Sequence, residues 1–306
     1  MLTDLSTTGT VLLVLLSAAA VFAAICLISM VRDGRRFVVR RYRVSSGKLT
    51  APKRLVYISD MHEKQYGDDN EAVVQAVRDA KPDLILIGGD TIVALAALKY
   101  AAEDPAWCAR SRSLLRRLTE IAPVYFADGN HELRLRIRKR SEGRRHYDRL
   151  ADMLRETGVI CLHNRCEEVG ELRLCGLELT DQYYLRFKKH RMEPDAVSKF
   201  LHMESAGEDR FSVLLAHDPE YFASYAAWGA DLTLSGHLHG GIMRLPFIGG
   251  VVSPNPALFP KYNGGLYRIG KRSMIVSCGL GEHTLPIRIF NPGEISVIDL
   301  VSASRQ

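Results

Sequence analysis

Short apolar runs alternate with amphipathic stretches along most of this chain, and this alternation limits its fold more than any other feature. Five runs have the length and composition of buried strands: LVYIS at 55–59, LILIG at 84–88, VYFA at 124–127, VLLA at 213–216 and LTLS at 232–235. Helical spacing of apolar residues is found at 70–80, 114–121 and 147–157. This alternation predicts an α/β domain with buried strands, and the alternating stretch 266–300 indicates a second sheet.

Each of the five predicted strands is followed by residues that can bind a metal ion. These residues are Asp60, His62, Asp90, Asn130, His131, His217, His237 and His239. Binding sites in open α/β sheets form at the carboxyl ends of strands, so we expect the five ends to converge. Asp60 and His62 are two residues apart, and His237 and His239 have the same spacing. Because residues i and i+2 of an extended backbone project to the same side, each pair is expected to face one metal region.

The candidate ligands also limit the choice of metal. They combine carboxylate, amide and imidazole groups and include no thiolate, which suits divalent Mn, Fe, Zn or Co. Seven candidates exceed the needs of one tetrahedral zinc ion: Asp60, His62, Asp90, Asn130, His217, His237 and His239. Such a set suits two ions that share a bridging carboxylate and lie about 3.5–4 Å apart.

The ordered series D-x-H, G-D, G-N-H-E, H and G-H-x-H, between Asp60 and His239, resembles the signature of the calcineurin-like metallophosphoesterase family. The segment GHLHGG-x-x-x-LPFIGG and the ending GLGEHTLPIRIFNPGEI at 279–295 further resemble a bacterial membrane-associated branch. That branch includes UDP-2,3-diacylglucosamine pyrophosphatases. The resemblance implies two central mixed β-sheets, packed as a sandwich and flanked by helices. It also implies metal-dependent hydrolysis of phosphoester or pyrophosphate bonds, including those of lipid-linked substrates.

The family pattern implies a role for each matched residue. The first metal ion would be held by Asp60, His62, Asp90 and His239. The second would be held by Asp90, Asn130, His217 and His237, with Asp90 as the bridge. His131 would contact the substrate, stabilise the phosphoryl charge and protonate the leaving oxygen, while Glu132 is expected to make a supporting hydrogen bond. Hydroxide made available by the metal ions would attack phosphorus in line, without a covalent enzyme intermediate.

The N-terminal stretch from Val11 to Val31 contains no charged residue and is long enough to cross a bilayer core as a helix. A cleaved signal usually has a positive segment before a shorter apolar core, whereas only Asp4 precedes this run, so an uncleaved anchor is favoured. Arginines follow it closely: Arg32, Arg35, Arg36, Arg40, Arg41 and Arg43. Because such residues favour the cytoplasmic side, we predict a single-pass protein of the cell membrane with a cytoplasmic catalytic domain.

These features divide the chain into three predicted parts. They are an extracytoplasmic end and transmembrane anchor at 1–31, a basic juxtamembrane segment at 32–50, and a metallophosphoesterase domain at 51–306. Within the domain, the basic segment 133–149 suits either a lid over anionic lipid or substrate phosphate, or a solvated helix face. The apolar Pro/Gly-rich loop 242–265 either enters the membrane interface or packs on the domain. His283 and Arg288 either reach the pocket or have ordinary loop roles.

Charge and cysteine content narrow the remaining choices. The net charge of +6 suits phosphorylated small molecules, phosphorylated lipids or anionic lipid surfaces. None of the six cysteines forms a C-x-x-C motif, so we expect reduced packing residues. A non-catalytic metal-binding scaffold and a nuclease-type phosphodiesterase are the alternative functions. Scaffold relatives usually lose ligands or the catalytic His, and the absence of a nucleic-acid module predicts no nucleic-acid partner.

Overall fold

The computed structural model describes residues 7–138, 141–185, 190–245, 248–252, 258–282 and 286–303. Its α-helices are α1 Thr7–Asp33, α2 Glu71–Ala80, α3 Ala94–Ala97, α4 Ala109–Thr119, α5 Asn130–Arg136, α6 Ser141–Glu156, α7 Ala196–Leu201 and α8 Phe222–Trp228. Its strands are β1 Phe37–Ser46, β2 Lys53–Ile58, β3 Leu84–Ile87, β4 Val124–Phe126, β5 Ile160–Cys161, β6 Arg165–Val169, β7 Leu172–Leu177, β8 Phe211–Ala216, β9 Leu232–Ser235, β10 Met243–Leu245, β11 Gly249–Val252, β12 Gly265–Ile269, β13 Arg272–Val276 and β14 Gly293–Ser302.

The strands form two six-stranded mixed sheets and one small hairpin. The first sheet has the order β1-β14-β2-β3-β4-β5, and β2 to β5 run parallel. The second has the order β12-β13-β9-β8-β7-β6, with β7, β8, β9 and β13 parallel. The hairpin pairs β10 with β11. Continuous apolar runs such as LILI suit these central strands because both faces of each are buried.

The two sheets pack face to face. Leu55 and Tyr57 of the first sheet share one buried cluster with Phe211, Leu234 and Ile275 of the second. Helices α2, α4 and α6 cover the other face of the first sheet, and α7 and α8 cover the other face of the second. The predicted α/β sandwich flanked by helices is therefore confirmed. Burial of these apolar faces is the main force that holds the layers together.

Parallel pairing places the carboxyl ends of β2, β3 and β4 along one edge of the first sheet. The carboxyl ends of β8 and β9 lie together in the second sheet. The Asp60 carboxylate accepts a hydrogen bond of 3.0 Å from the N–H of His237, so the two edges meet. The residues that follow these five strands therefore share one place in the fold.

Among the described residues, α1 is the one helix that is long and apolar enough to cross a bilayer, judged by length and composition. The side chains of its apolar run are largely exposed. Beyond α1, part of the segment 32–50 differs from the predicted juxtamembrane stretch, because residues 37–46 form β1 and pair with β14 along their whole length. Three arginines of that segment, Arg40, Arg41 and Arg43, therefore lie on an edge strand of the first sheet. The division of the chain into three parts stays a prediction.

The structure differs from the prediction of six reduced cysteines at two positions, which are bonded to each other. Cys166 and Cys175 lie opposite each other in the antiparallel pair of β6 and β7 and form a disulfide, with their Cα atoms 4.0 Å apart. The remaining cysteines have free thiols: Cys26, Cys108, Cys161 and Cys278. Spacing alone did not reveal the pair, because it depends on the register of a hairpin that the sequence does not specify.

The two insertion-like segments are described in part. The basic segment 133–149 forms most of α5 and α6, with residues 139–140 outside the described part of the chain. The apolar loop 242–265 contains β10 and β11, and residues 246–247 and 253–257 lie outside the described part. His283 also lies outside it. Arg288 is buried and donates hydrogen bonds to the carbonyl oxygens of Cys278 and Gly279, so it has a loop role.

Candidate metal centre

The eight predicted site residues lie in one buried cluster where the two sheet edges meet. None of them is more than 9% exposed: Asp60, His62, Asp90, Asn130, His131, His217, His237 and His239. Three groups within the cluster have ligand atoms close enough to hold a metal ion, and two of these groups share no residue. The first comprises Asp60, His62 and His239, and the second comprises Asp90, His217 and His237. The predicted convergence of the strand ends is thus present in the structure.

Close contacts between basic and acidic atoms define the two groups. In the first, His239 Nε2 lies 3.3 Å from Asp60 Oδ1 and 3.1 Å from His62 Nε2. In the second, His217 Nε2 lies 3.2 Å from Asp90 Oδ2. These separations match those between donor atoms that share one ion, since metal–ligand distances of about 2.0–2.2 Å hold donors roughly 3 Å apart.

Asp90 lies between the two groups. One carboxylate oxygen, Oδ1, accepts a hydrogen bond of 2.8 Å from the N–H of His131, which fixes the orientation of the side chain. The other oxygen, Oδ2, is 3.2 Å from His217 Nε2 and 3.9 Å from His62 Nε2. A single oxygen that faces imidazoles of both groups has the position that a bridging ligand requires.

Three imidazoles are oriented as metal ligands. The Nδ1 atoms of His62, His217 and His239 lie 3.2, 2.7 and 3.1 Å from the carbonyl oxygens of residues 92, 88 and 281. A carbonyl oxygen only accepts, so these contacts assign the proton to Nδ1. Each Nε2 atom then faces the centre, and in the neutral ring its lone pair is available to a metal ion, as in metal-binding histidines.

His131 has the opposite arrangement. Its Nδ1 atom accepts a hydrogen bond of 3.0 Å from the N–H of Ala94, so the neutral ring carries its proton on Nε2. His131 also falls within a group with His62 and Asp90, but a protonated Nε2 donates rather than ligates. A guanidinium nitrogen of Arg134 lies 3.4 Å away, too far for a strong hydrogen bond. The Nε2 atom lies 3.9 Å from Asp90 Oδ2, on the side of the ring that faces the centre.

Asn130 supplies a second sign that the site is built for cations. Its side-chain oxygen is buried and accepts no hydrogen bond from the described residues. Buried amide oxygens are nearly always satisfied, so an unsatisfied one beside two carboxylates and several imidazoles fits a cation. The donor set therefore suits the implied divalent ions.

The two D-x-H and H-x-H pairs converge for a different reason from the one predicted. Their residues are not extended, because five candidate ligands have left-handed backbone conformations. The φ angles are 52° for Asp60, 48° for His62, 51° for Asp90, 67° for His237 and 50° for His239. Such conformations cost about 1–3 kcal/mol each and cluster at functional sites. Tight loops, rather than strand alternation, thus direct these side chains to one point.

Glycines permit the close approach of these loops. A Cβ atom on Gly129 would lie 2.3 Å from Asp90 Oδ1, and one on Gly236 would lie 2.0 Å from Ser59 Oγ. Both distances are far below van der Waals contact, so a side chain at either position would displace a candidate ligand or its support. These two positions therefore require glycine.

Glu132 makes the supporting hydrogen bonds expected of it. The buried carboxylate accepts three hydrogen bonds of 2.9 Å from the N–H groups of Asp90, Thr91 and Gly129. The Thr91 hydroxyl donates a fourth, of 2.8 Å. Glu132 therefore holds together the loops after β3 and β4, on which Asp90 and Asn130 lie.

The electrostatics of the centre reflect many charges in a buried space. Burial raises the pKa of Asp60. Burial would also raise the pKa of Asp90, but attraction to the positive imidazole of His217 holds it well below its usual value. Burial opposes the charged form of His217, yet attraction to the Asp90 carboxylate raises its pKa to about 10. A proton therefore occupies a position that a metal cation would take.

Two supporting residues were not singled out from the sequence. The Asn291 amide donates hydrogen bonds of 2.7 and 2.6 Å to the carbonyl oxygens of His239 and Gly241. The Tyr184 ring packs against His237, with centroids 5.3 Å apart. Asn291 belongs to the ending 279–295, which the sequence analysis singled out by its family resemblance. The contacts of Asn291 could not be predicted from that resemblance. No motif marked Tyr184.

A second acidic group lies behind the loop that carries Asn130. Asp128, His163 and Glu178 have side-chain atoms close enough to hold an ion. However, Glu178 forms ion pairs with Arg136 and His163, and the Tyr147 hydroxyl donates to Asp128. Hydrogen bonds to Cys161 and Glu178 raise the pKa of His163 to about 10. This group is therefore a network of paired charges.

Comparison with known proteins matches residues 53–241 to the family described as calcineurin-like phosphoesterase. An uncharacterized metallophosphoesterase of Helicobacter pylori is 28% identical, over 83% of this chain and 61% of its own length. The uncharacterized metallophosphoesterase YkuE of Bacillus subtilis is 27% identical, over 82% of this chain and 80% of its own. Phosphodiesterase YaeI of Escherichia coli is 24% identical, over 87% and 88%. The chain thus spans less than two thirds of the Helicobacter relative.

Proposed function

This chain belongs to the calcineurin-like phosphoesterase family, and on that premise we propose that it is a membrane-anchored phosphoesterase with two divalent metal ions. Membership makes it a metal-dependent hydrolase of phosphoester bonds. The number of ions, the residues that hold them, the anchor and the substrate are the proposed parts. The name of the Escherichia coli relative supports phosphodiesters as the first substrates to examine.

The position of Asp90 carries the proposal of two ions. Its Oδ2 atom faces both ligand groups, at 3.2 Å from His217 Nε2 and 3.9 Å from His62 Nε2. We assign the first ion to Asp60, His62, Asp90 and His239, and the second to Asp90, Asn130, His217 and His237. Bound Mn, Fe, Zn or Co would supply positive charge for the phosphoryl group and an activated water near neutral pH.

The residues of the chain divide the remaining work. Asp60 and Asp90 partly neutralise the cations and leave the centre positive, which favours a phosphate group. The Nε2–H of His131 donates to a phosphoryl oxygen or to the leaving oxygen. Transfer of a proton from an imidazolium to the leaving oxygen would first require the N–H of Ala94 to release Nδ1, so hydrogen-bond donation is the main role that we assign to His131.

The anchor and substrate proposals depend on α1. Its length and exposed apolar side chains favour a span of the cell membrane, and the basic residues after it favour a cytoplasmic domain. A membrane position brings phosphorylated lipids and lipid-linked pyrophosphates within reach, in line with the resemblance to UDP-2,3-diacylglucosamine pyrophosphatases. Anionic lipid would also contact the arginines that follow the helix.

The disulfide between β6 and β7 favours the opposite orientation, because such bonds persist mainly in oxidising compartments. Thiol titration of the denatured protein, isolated without reductant, distinguishes a cytoplasmic domain from a domain on the oxidising side of the membrane. A cytoplasmic domain predicts six reactive thiols, the full cysteine count of the chain. A domain on the oxidising side predicts the four that are free in the structure. Four thiols would overturn the cytoplasmic assignment.

Hydrolysis of a soluble aryl phosphodiester with added Mn²⁺ tests the proposed activity. We expect Asp90→Ala to lose both bound metal and activity, because it removes the bridging oxygen. His131→Ala should keep the metal but lose about 10²- to 10⁴-fold in rate, the range for one general acid or hydrogen-bond donor. His202→Ala, at an exposed histidine outside the centre, is the control and should match wild type. Full activity in either of the first two variants would contradict the assignment.

A further inference from the structure

Exposed apolar side chains outside α1 are concentrated on loops around the metal centre. Outside α1, nine large apolar residues of the described part of the chain are widely exposed, and six of them lie on loops or helix ends near the centre. We call these six the apolar rim: Leu95 at 65% exposed, Ile137 at 45%, Leu185 at 48%, Ile248 at 55%, Leu258 at 70% and Phe259 at 59%. Clustered exposed apolar side chains mark surfaces that bind another apolar phase.

Three rim residues lie next to residues of the centre. Leu95 follows Ala94, whose N–H donates to His131 Nδ1. Ile137 directly follows α5, the helix that begins with Asn130. Leu185 follows Tyr184, whose ring packs against His237. These rim residues therefore lie on segments that carry or contact residues of the centre.

The other three rim residues belong to the loop that follows His239. Ile242 donates a hydrogen bond of 2.7 Å to the carbonyl oxygen of Val252, which returns the chain toward the last metal motif. Leu258 forms a bridge with Val252, and the N–H of Phe259 donates to the carbonyl oxygen of Val251 at 2.9 Å. The apolar tip of this loop thus stays attached to the segment that carries His239.

The end of α1 is attached to the same region. The Ser29 hydroxyl accepts a hydrogen bond of 2.7 Å from the N–H of Phe290, and Asp33 accepts one of 3.0 Å from the N–H of Asn291. Asn291 in turn donates to the carbonyl oxygen of His239 at 2.7 Å. Ile289, the residue before Phe290, pairs with Met243 of β10.

These contacts limit the distance between the rim and the end of α1. Adjacent strands lie about 5 Å apart, so the path from residue 289 through β10 and β11 to Leu258 covers only about 15 Å. The apolar run of α1 ends at Val31, which places Ser29 and Asp33 near the lipid headgroups. A groove of about 670 Å³ at this end combines Leu27, Ile28 and Val31 with Arg32, Arg35 and Arg36, a set that suits acyl chains and anionic headgroups.

We propose that the apolar rim docks onto the bilayer that α1 crosses, so that the metal centre opens onto the headgroup layer and acts on phosphorylated amphiphiles held there. Apolar side chains that enter the interface are stabilised in proportion to their buried area. The exposed Arg134, beside His131, contributes positive charge on the same side. The inference about the substrate rests on the proposed function, whereas the docking of the rim does not.

Fluorescence quenching tests the docking without any assay of activity. The full-length chain with Phe259→Trp is placed in phosphatidylcholine nanodiscs whose acyl chains carry bromine. We expect the new indole to be quenched relative to its emission in unbrominated discs, after subtraction of the signal from the buried Trp107 and Trp228. The matched control is Ile269→Trp at the end of β12, an exposed position at the opposite edge of the second sheet, and it should not be quenched. An unquenched indole at position 259 would overturn the docking.

A pair of substrates tests the consequence for catalysis. A long-chain alkyl nitrophenyl phosphate is embedded in the nanodiscs, and methyl nitrophenyl phosphate is supplied in solution, so that only the lipid tail differs. We expect Ile248→Ser with Leu258→Ser to lower hydrolysis of the long-chain ester about 10-fold, the effect of one to two apolar side chains. Hydrolysis of the methyl ester should be unchanged, and Ile269→Ser should change neither.

Equal losses on both esters, or no loss on either, would overturn the inference about the substrate. If the wild-type chain hydrolyses neither ester, the proposed function fails, while the quenching result still decides whether the rim docks. The two failures are therefore distinguishable.

Discussion

At the scale of single residues, hydrogen-bond direction divides four histidines of the centre into the proposed ligands and the proposed substrate contact. His62, His217 and His239 donate from Nδ1 to carbonyl oxygens, whereas His131 accepts at Nδ1 from the N–H of Ala94. All four were candidates from the sequence, and the family resemblance implied their different roles. The structure supplies an independent physical reason for the same division. Residue order along the chain could not have supplied it, because the carbonyl oxygens come from distant loops.

Glu132 provides the first prediction at this scale. Glu132→Ala should lower the free energy of unfolding by at least about 3 kcal/mol, because it leaves the buried N–H groups of Asp90, Thr91 and Gly129 without acceptors. We also expect weaker metal binding, since the loop that carries Asp90 loses its support. Denaturant unfolding and metal titration measure the two effects.

Glu132→Gln is the matched variant for this experiment. It keeps one acceptor oxygen but turns an amide NH₂ toward N–H donors, so an intermediate loss of stability is expected. Wild-type stability and metal affinity in Glu132→Ala would show that the carboxylate does not hold the two loops together.

At the scale of elements, the docked end of α1 is the feature with the clearest consequence. The Asp33 carboxylate is fully buried and accepts hydrogen bonds from Ser29, from Arg36 and from the N–H of Asn291. A carboxylate near a helix C-terminus is disfavoured by the helix dipole, so these contacts must outweigh that cost. The last turn of α1 is thereby tied to the segment that supports His239.

Asp33→Ala tests this connection. We expect a loss of about 1–3 kcal/mol in the free energy of unfolding, because the N–H of Asn291 is left without its acceptor. Activity on a soluble phosphodiester should fall several-fold, since Asn291 no longer holds the backbone of His239 as firmly. The control is Asp79→Ala, at an exposed carboxylate on α2. Equal thermal stability and activity in both variants would contradict the proposed support of His239.

Most elements of the domain could be predicted from the sequence, because local apolar patterns specify them. The run LVYIS corresponds to β2, LILIG to β3 and LTLS to β9. Strand β1 was not predicted, because its arginines resembled a membrane flank and its pairing with β14 joins residues more than 250 positions apart along the chain. The disulfide between β6 and β7 and the left-handed loops of the centre were also not predicted. Each depends on contacts between segments, which spacing along the chain does not encode.

At the scale of the whole molecule, the two sheets and α1 meet at the metal centre. The first sheet supplies Asp60, Asp90 and Asn130, and the second supplies His217 and His237. No single element could bind two ions alone, so metal binding and the packing of the sheets should be coupled. The same edge carries the apolar rim and the docked end of α1. The proposed catalytic site and the proposed membrane attachment therefore share one face of the protein.

Metal affinity should depend on pH across the whole centre. Attraction to Asp90 raises the pKa of His217 to about 10 in the metal-free protein, so this imidazole is protonated at neutral pH. Each ion that binds there must displace that proton, and affinity should fall about tenfold for each unit decrease in pH below 10. Competition titrations with Mn²⁺ at several pH values measure the slope. A pH-independent affinity would show that the ion displaces no proton from His217 when it binds.

Anomalous diffraction from crystals grown with Mn²⁺ tests the dinuclear centre most directly. We predict two manganese peaks about 3.5–4 Å apart, one on each side of Asp90 Oδ2, with one near His62 and His239 and the other near His217 and His237. A single peak, or peaks that do not contact Asp90, would contradict the account.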